Sequence, residues 1–180
     1  IIMFIIPIIT MKTFAEEKRQ KTDQALLTAP TSLTEIVLGK FLGAFILYLI
    51  CSCIYLVYAV IISFFTTPEW SVILCTFLGV VLLGASLIAI NVFISVLTES
   101  MIIAAVFGMA VGLLISMMSY FASMISISWI SNALKAISFM EYYQNFTYGI
   151  LSIVDVVFFL SVTTLFLFFT VRALEKRRWS

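Results

Sequence analysis

The 180-residue chain is 63% hydrophobic and carries a net charge of +1; its mean hydropathy is +1.21 and its charged fraction 11%, less than half the roughly 25% of an ordinary soluble domain. Continuous apolar runs longer than the roughly 20 residues needed to cross a bilayer exclude a soluble domain and the alternating strands of a membrane β-barrel. Near-neutral charge gives no bulk attraction to nucleic acid, and the absence of histidine removes the commonest general base and metal ligand. What remains is an all-α integral membrane protein, a polytopic helical bundle within a single transmembrane domain.

Residues 1–11 are apolar but too few to cross a membrane, and they lack a signal-peptide layout. They read as the end of a helix whose beginning lies upstream, in a protein longer at its N-terminus. Residues 12–35 form a charged island. Between Thr10 and Lys40 lie five of the ten basic and four of the nine acidic residues.

Four full spans follow, at 36–65, 72–97, 101–127 and 150–171. Ser32-Leu33-Thr34-Glu35 is a capping box that opens the first of them. Lys40 is expected to snorkel at the interface. Gly39-x-x-x-Gly43 and Gly108-x-x-x-Gly112 match small-residue packing motifs. The third full span is rich in methionine, including Met109, Met117 and Met118, which packs adaptably. Gly108, Met109, Gly112, Met117 and Met118 are therefore candidates for a pathway or dimer face, with plain lipid-facing or core packing as the alternative. Glu99, in the tight turn before that span, is expected to cap it.

Residues 128–149 precede the last span. Trp129, Ile130, Ala133, Leu134 and Ile137 share one helical face, opposite Asn132, Lys135 and Ser138, which describes an amphipathic helix lying on the outer leaflet or dipping into it. Phe139, Tyr142, Tyr143 and Phe146 continue as an aromatic stripe, either an interfacial belt or a lid. Asp155, just inside the last span, suits a helix N-terminus, or a pathway role as an acid at membrane depth. Residues 172–180 are expected to form a cytoplasmic tail.

The basic residues decide topology. Lys12, Lys18, Arg19, Lys21 and Lys40 surround the island, while Arg172, Lys176, Arg177 and Arg178 follow the last span. Four crossings separate the two clusters, so both lie on one side, which the positive-inside rule makes cytoplasmic. The cysteines, Cys51, Cys53 and Cys75, all sit in apolar runs and imply neither a disulfide framework nor a metal site. No phosphate-binding loop is present, since Gly39-Lys40 lacks the preceding glycine and the following hydroxyl. If ATP drives this protein, another chain supplies the ATPase.

The island carries a resemblance. Phe14-Ala15-Glu16-Glu17-Lys18-Arg19, Thr22, Leu26-Leu27-Thr28-Ala29-Pro30 and Glu35-Ile36-Val37-Leu38-Gly39-Lys40 resemble a segment of bacterial ABC-2 type transporter permeases. It departs at Lys21, where a glycine often stands, and at Asp23-Gln24-Ala25. Tyr148–Trp179 looks like the gliding-motility branch of the same family. Together these segments cover about a third of the chain.

The resemblance implies a six-helix permease lacking its N-terminal part, with 1–11 as the end of helix two and 150–171 as helix six. It also implies a multi-pass protein of the plasma membrane, in a dimer with a second permease copy or a homologue. Residues 12–35 would hold the coupling helix that docks on a separate ATPase subunit, with Phe14 as apolar anchor and Glu16, Glu17, Lys18, Arg19 and Gln20 as contacts. ATP and magnesium would sit on that partner, and the chain itself would have no cofactor and no catalytic residue. A non-transporting membrane scaffold or assembly factor is the alternative. The substrate is indicated only as a lipophilic or amphipathic guest.

Overall fold

The structure is a computed structural model that describes residues 2–19, 32–65, 67–125 and 127–178; of residues 2–4, 18, 177 and 178 only the helical placement is described. The described residues are all-α: α1 (Ile2–Thr10), α2 (Ala15–Arg19), α3 (Leu33–Ser63), α4 (Trp70–Leu97), α5 (Met101–Met124), α6 (Ser128–Ile137), α7 (Phe139–Thr147) and α8 (Ile153–Arg178). Four of them, α3, α4, α5 and α8, are long and apolar enough to cross a membrane.

α4 is the spine. It packs against α8, α3, α7, α1 and α5, and an unbroken run from Leu83 to Val92 is buried on every side. Its small residues make this possible. A Cβ on Gly84 would lie 2.1 Å from Tyr48 Cε1, and one on Gly79 2.6 Å from Phe146 Cβ. The Tyr48 hydroxyl closes the first contact by donating to the Val80 carbonyl at 2.9 Å. α3, by contrast, is largely exposed to its surroundings and buries only a narrow stripe that includes Leu33, Val37, Phe41, Ala44 and Tyr48. In a bilayer such a surface faces lipid or another membrane helix.

The α3 start matches the capping box. Ser32 Oγ accepts from Glu35 N at 3.3 Å, and Ser32 N donates to Glu35 Oε2 at 3.2 Å. α5 is opened by Ser100 rather than by Glu99, and Ser100 makes no side-chain capping bond. The last helix continues past the apolar run that ends at 171. Arg172–Arg178 continues it, because Arg, Ala, Leu, Glu and Lys are all strong helix formers. The 26 residues of α8 span about 39 Å at 1.5 Å per residue, beyond the roughly 30 Å hydrocarbon core.

α6 buries none of its residues within the chain, as an amphipathic helix at an interface would. α7 does the reverse, and its aromatic stripe faces inward. Phe139 meets Phe158 and Phe159 edge-on at 5.4 and 5.8 Å, and Tyr142 stacks on Phe158 at 4.0 Å. Phe146, fully buried, lies 6.3 Å from Phe159. Burial, together with the nearby Tyr55 phenol, raises the pKa of the Tyr143 phenol.

Substituting Gly84 by valine forces the Tyr48 ring out of its slot and should cost about 1–3 kcal/mol. Gly39→Ala, with nothing within 4 Å of the added Cβ, should stay within about 0.5 kcal/mol of the parent. Thermal unfolding of the two variants in the same detergent measures the difference.

Candidate functional site

The described part of the charged island, residues 12–19, lies at one end of the bundle with the ends of α1 and α4 and the start of α3. α1 ends in a turn held by Met11 N donating to Pro7 O at 2.8 Å and Thr13 N donating to Thr10 O at 3.0 Å. The chain then enters α2, whose first N–H groups would have no partner within so short a helix. They find one in α4: Phe14 N and Ala15 N both donate to Ser95 Oγ, at 3.1 and 3.0 Å. Ser95 is fully buried, as is Ala15, and Phe14 is 4% exposed.

Lys40 of α3 closes the same site from the other side. Its ammonium lies 4.0 Å from the Phe14 ring centroid, donates to the Thr13 carbonyl at 2.5 Å and forms an ion pair with Glu17. A desolvated ammonium with an aromatic face, a carbonyl and a carboxylate around it is well satisfied. α2 also rests on α5. Five residues of helix are thus fastened to three of the four membrane-spanning helices.

The fastenings are unequal. The Glu17 side chain retains 32% exposure, so loss of Lys40 leaves a carboxylate that water can reach, at a cost of about 1 kcal/mol. Loss of the Ser95 hydroxyl leaves two buried N–H groups without an acceptor, at about 1–3 kcal/mol. Ser95 is the stronger tie and Lys40 the more specific one.

Of the six residues read as a docking surface, Phe14 points into this chain. Glu17 pairs inward with Lys40, Glu16 is half-buried, and Arg19 is exposed. The Lys18 side chain and Gln20 lie outside the described residues, as do Lys21–Pro30 of the resemblance.

The second candidate group is dispersed. Gly108 is packed inside the chain, where an added Cβ would lie 2.0 Å from Asn91 Oδ1 and 3.2 Å from Pro7 Cβ, bringing α5 against α4 and α1. Gly112 is buried on the same helix, Met109 is half-buried and Met117 is exposed. Met118 lines an apolar groove with Val111, Ile115 and Phe158. Asp155, 3% exposed, sits in the first turn of α8 and accepts from Asn145 Nδ2 of α7 at 2.9 Å. The structure brings Glu16, Glu17 and Phe14 together, and places Asp155 far along the fold from them, on the α7–α8 junction.

Sequence reasoning missed Ser95 and Tyr48, and it read Lys40 as a topology marker, a snorkelling interfacial residue and part of the family-like segment, without its partners Phe14, Thr13 and Glu17. The available signal for Lys40 was a lone charge inside a long apolar helix. Ser95 had none, being one serine among many in apolar runs.

The two described basic regions share this end of the molecule. Thr34, Val37 and Leu38, at the start of α3, line a groove with Val171 and Arg172, at the end of α8. Compared with known proteins, residues 1–173 match the family model described as ABC-2 family transporter protein. No curated protein and no solved structure matches the chain.

Ser95→Ala should free the amides of Phe14 and Ala15. Hydrogen exchange in detergent is expected to show faster exchange there by about tenfold or more, the rate equivalent of about 1.4 kcal/mol, while the core of α3 keeps its protection. Equal loss throughout α3 would mean general unfolding in place of a local tie.

Proposed function

The chain belongs to the ABC-2 transporter family, and from that premise we propose that it is a permease subunit of an ATP-binding cassette exporter, coupled to a separate ATPase through residues 12–35. Membership makes it a multi-pass membrane subunit of that class. The single observation that carries the coupling role is the site around Lys40. There a short charged helix is tied to α3 by Lys40, to α4 by Ser95 and to α5 by packing.

A five-residue helix has no stability of its own in water. Held on three spans, it becomes a lever. A partner that displaces α2 must move α3 and α4 with it or break the ties. In this reading Arg19 and Glu16, with Lys18 and Gln20, meet the ATPase through charge-assisted hydrogen bonds. Glu17 and Phe14 work inward, transmitting the displacement through Lys40. ATP and its magnesium bind the partner, whose closure switches the pathway between inward- and outward-facing states. The pathway itself forms between this chain and a second copy or a homologue, along faces that α3, α5 and α8 leave uncovered.

The positive-inside rule puts the α2 end in the cytoplasm, where an ATPase would be reached. The domain divisions follow: 12–35 as coupling segment, α3, α4, α5 and α8 as spans, and 128–149 as interfacial helices on the outer side.

Two variants separate docking from transmission. Reversing charge at Glu16 and Arg19 together should abolish co-purification of the ATPase. Lys40→Met should retain the ATPase yet lower transport by about tenfold, the equivalent of about 1.4 kcal/mol of coupling. Normal ATPase association in the charge-reversed variant contradicts the docking assignment. Unchanged transport in the methionine variant contradicts the lever.

A further inference from the structure

The groove between the start of α3 and the end of α8 has a composition that the coupling role does not use. Its volume is about 440 Å³, within the roughly 300–1,000 Å³ typical of small-molecule sites. The floor is apolar, formed by Val37, Leu38, Leu167, Phe168 and Val171. The mouth is polar, with Thr34, Arg172 and Glu175. Beyond Phe168 and Thr164 the groove adjoins the open, largely apolar face of α8 at Ser161, Leu160 and Val157. A depression that is greasy along the helices and charged at one end fits an amphiphile laid parallel to the spans.

Charge at the mouth selects the sign of the head. Arg172 stands 5.2 Å over the Phe168 ring, which props its stem at the groove edge. Its pair with Glu175 is exposed, 63% and 39% for the two side chains, and such a pair is worth little. The guanidinium can therefore turn to a phosphate, which it binds in bidentate fashion. Lys176 is exposed beside it, and Arg177 and Arg178 follow in sequence, giving four basic residues to one acid over 172–178. The N-terminal end of α3 adds its positive dipole. Of the two carboxylates nearby, Glu35 accepts from the Ser32 backbone N–H, and Glu175, 39% exposed, turns to solvent when Arg172 turns to the phosphate.

We infer that this groove binds a single anionic phospholipid of the surrounding bilayer, its phosphate on Arg172 and one acyl chain along Leu38, Leu167 and Phe168. Basic pockets between membrane helices are physically suited to such head groups, each basic residue contributing about fivefold in affinity. The bound lipid would cement α3 to α8 at the end where α2 is fastened.

The test uses the full chain, purified in detergent and exposed to equal amounts of phosphatidylglycerol and phosphatidylcholine, with retained lipid counted by native mass spectrometry. The parent protein should retain phosphatidylglycerol in clear excess. Arg172→Gln should reduce that excess about fivefold, and Leu38→Trp, which fills the floor, should reduce retention of both lipids. Lys135→Gln, on α6, should change nothing. Circular dichroism confirms that each variant is folded, and Arg172→Lys, which keeps the charge but loses the bidentate fork, should retain part of the preference if Arg172→Gln folds poorly. Equal retention of the two lipids by the parent overturns the proposal. So does an undiminished preference in folded Arg172→Gln, or a Leu38→Trp variant that alters oligomeric state while leaving lipid retention intact.

Discussion

A polar group inside hydrocarbon has no water to turn to, so its partner must come from the chain itself. This constraint organises the central helix. Ser86 donates its hydroxyl to the Leu83 carbonyl and Asn91 its amide to the Leu87 carbonyl, each satisfied within α4. Thr163 and Thr170 of α8 do the same toward Phe159 and Phe166. Ser95 breaks the pattern by accepting from a different element, and its two bonds from Phe14 and Ala15 bind the charged island to the buried spine. The position of α2, and with it every functional reading of the island, depends on that oxygen and on Lys40.

The spans were legible because their apolar runs are continuous, and the capping box at Ser32 and Glu35 was legible because its two bonds require those residue types three apart. Which span lies at the centre was not legible. α4 is apolar on all sides, and so are α3 and α8, so periodicity carried no contrast. Small residues such as Gly79 and Gly84 let neighbours approach α4 closely, but α5 is as rich in Gly, Ala and Ser, so composition carried no contrast either. The apolar run bounded the last span near 171, and helix formers in Arg172–Arg178 carry the helix beyond it.

At the candidate site the composition was legible and the pairing was not. Lys40 is 23 residues from Glu17, and Ser95 is 80 from Ala15. No local pattern encodes contacts at such separations. Phe14 shows the consequence most clearly. Its type suggested an apolar anchor, and within the chain it packs against Lys40 of α3 and is tied to Ser95 of α4. Likewise, the spacing of Phe139, Tyr142 and Phe146 was apparent, and the Phe158–Phe159 pair that they pack against was not.

The two ends of the molecule are thus built differently. One end joins α7 to α8 through packed aromatic rings and the Asn145–Asp155 bond. The other joins α2 to α3 and α4 through two polar ties that a partner could load. The most direct test is site-specific photo-cross-linking in membranes containing the ATPase, with the probe at Arg19 and, as reference, at Ser131 of α6. The account predicts that the ATPase is captured from position 19 and never from position 131, with a yield at 19 that changes when ATP is bound. Capture of the ATPase from position 131, or only lipid captured from position 19, would contradict it.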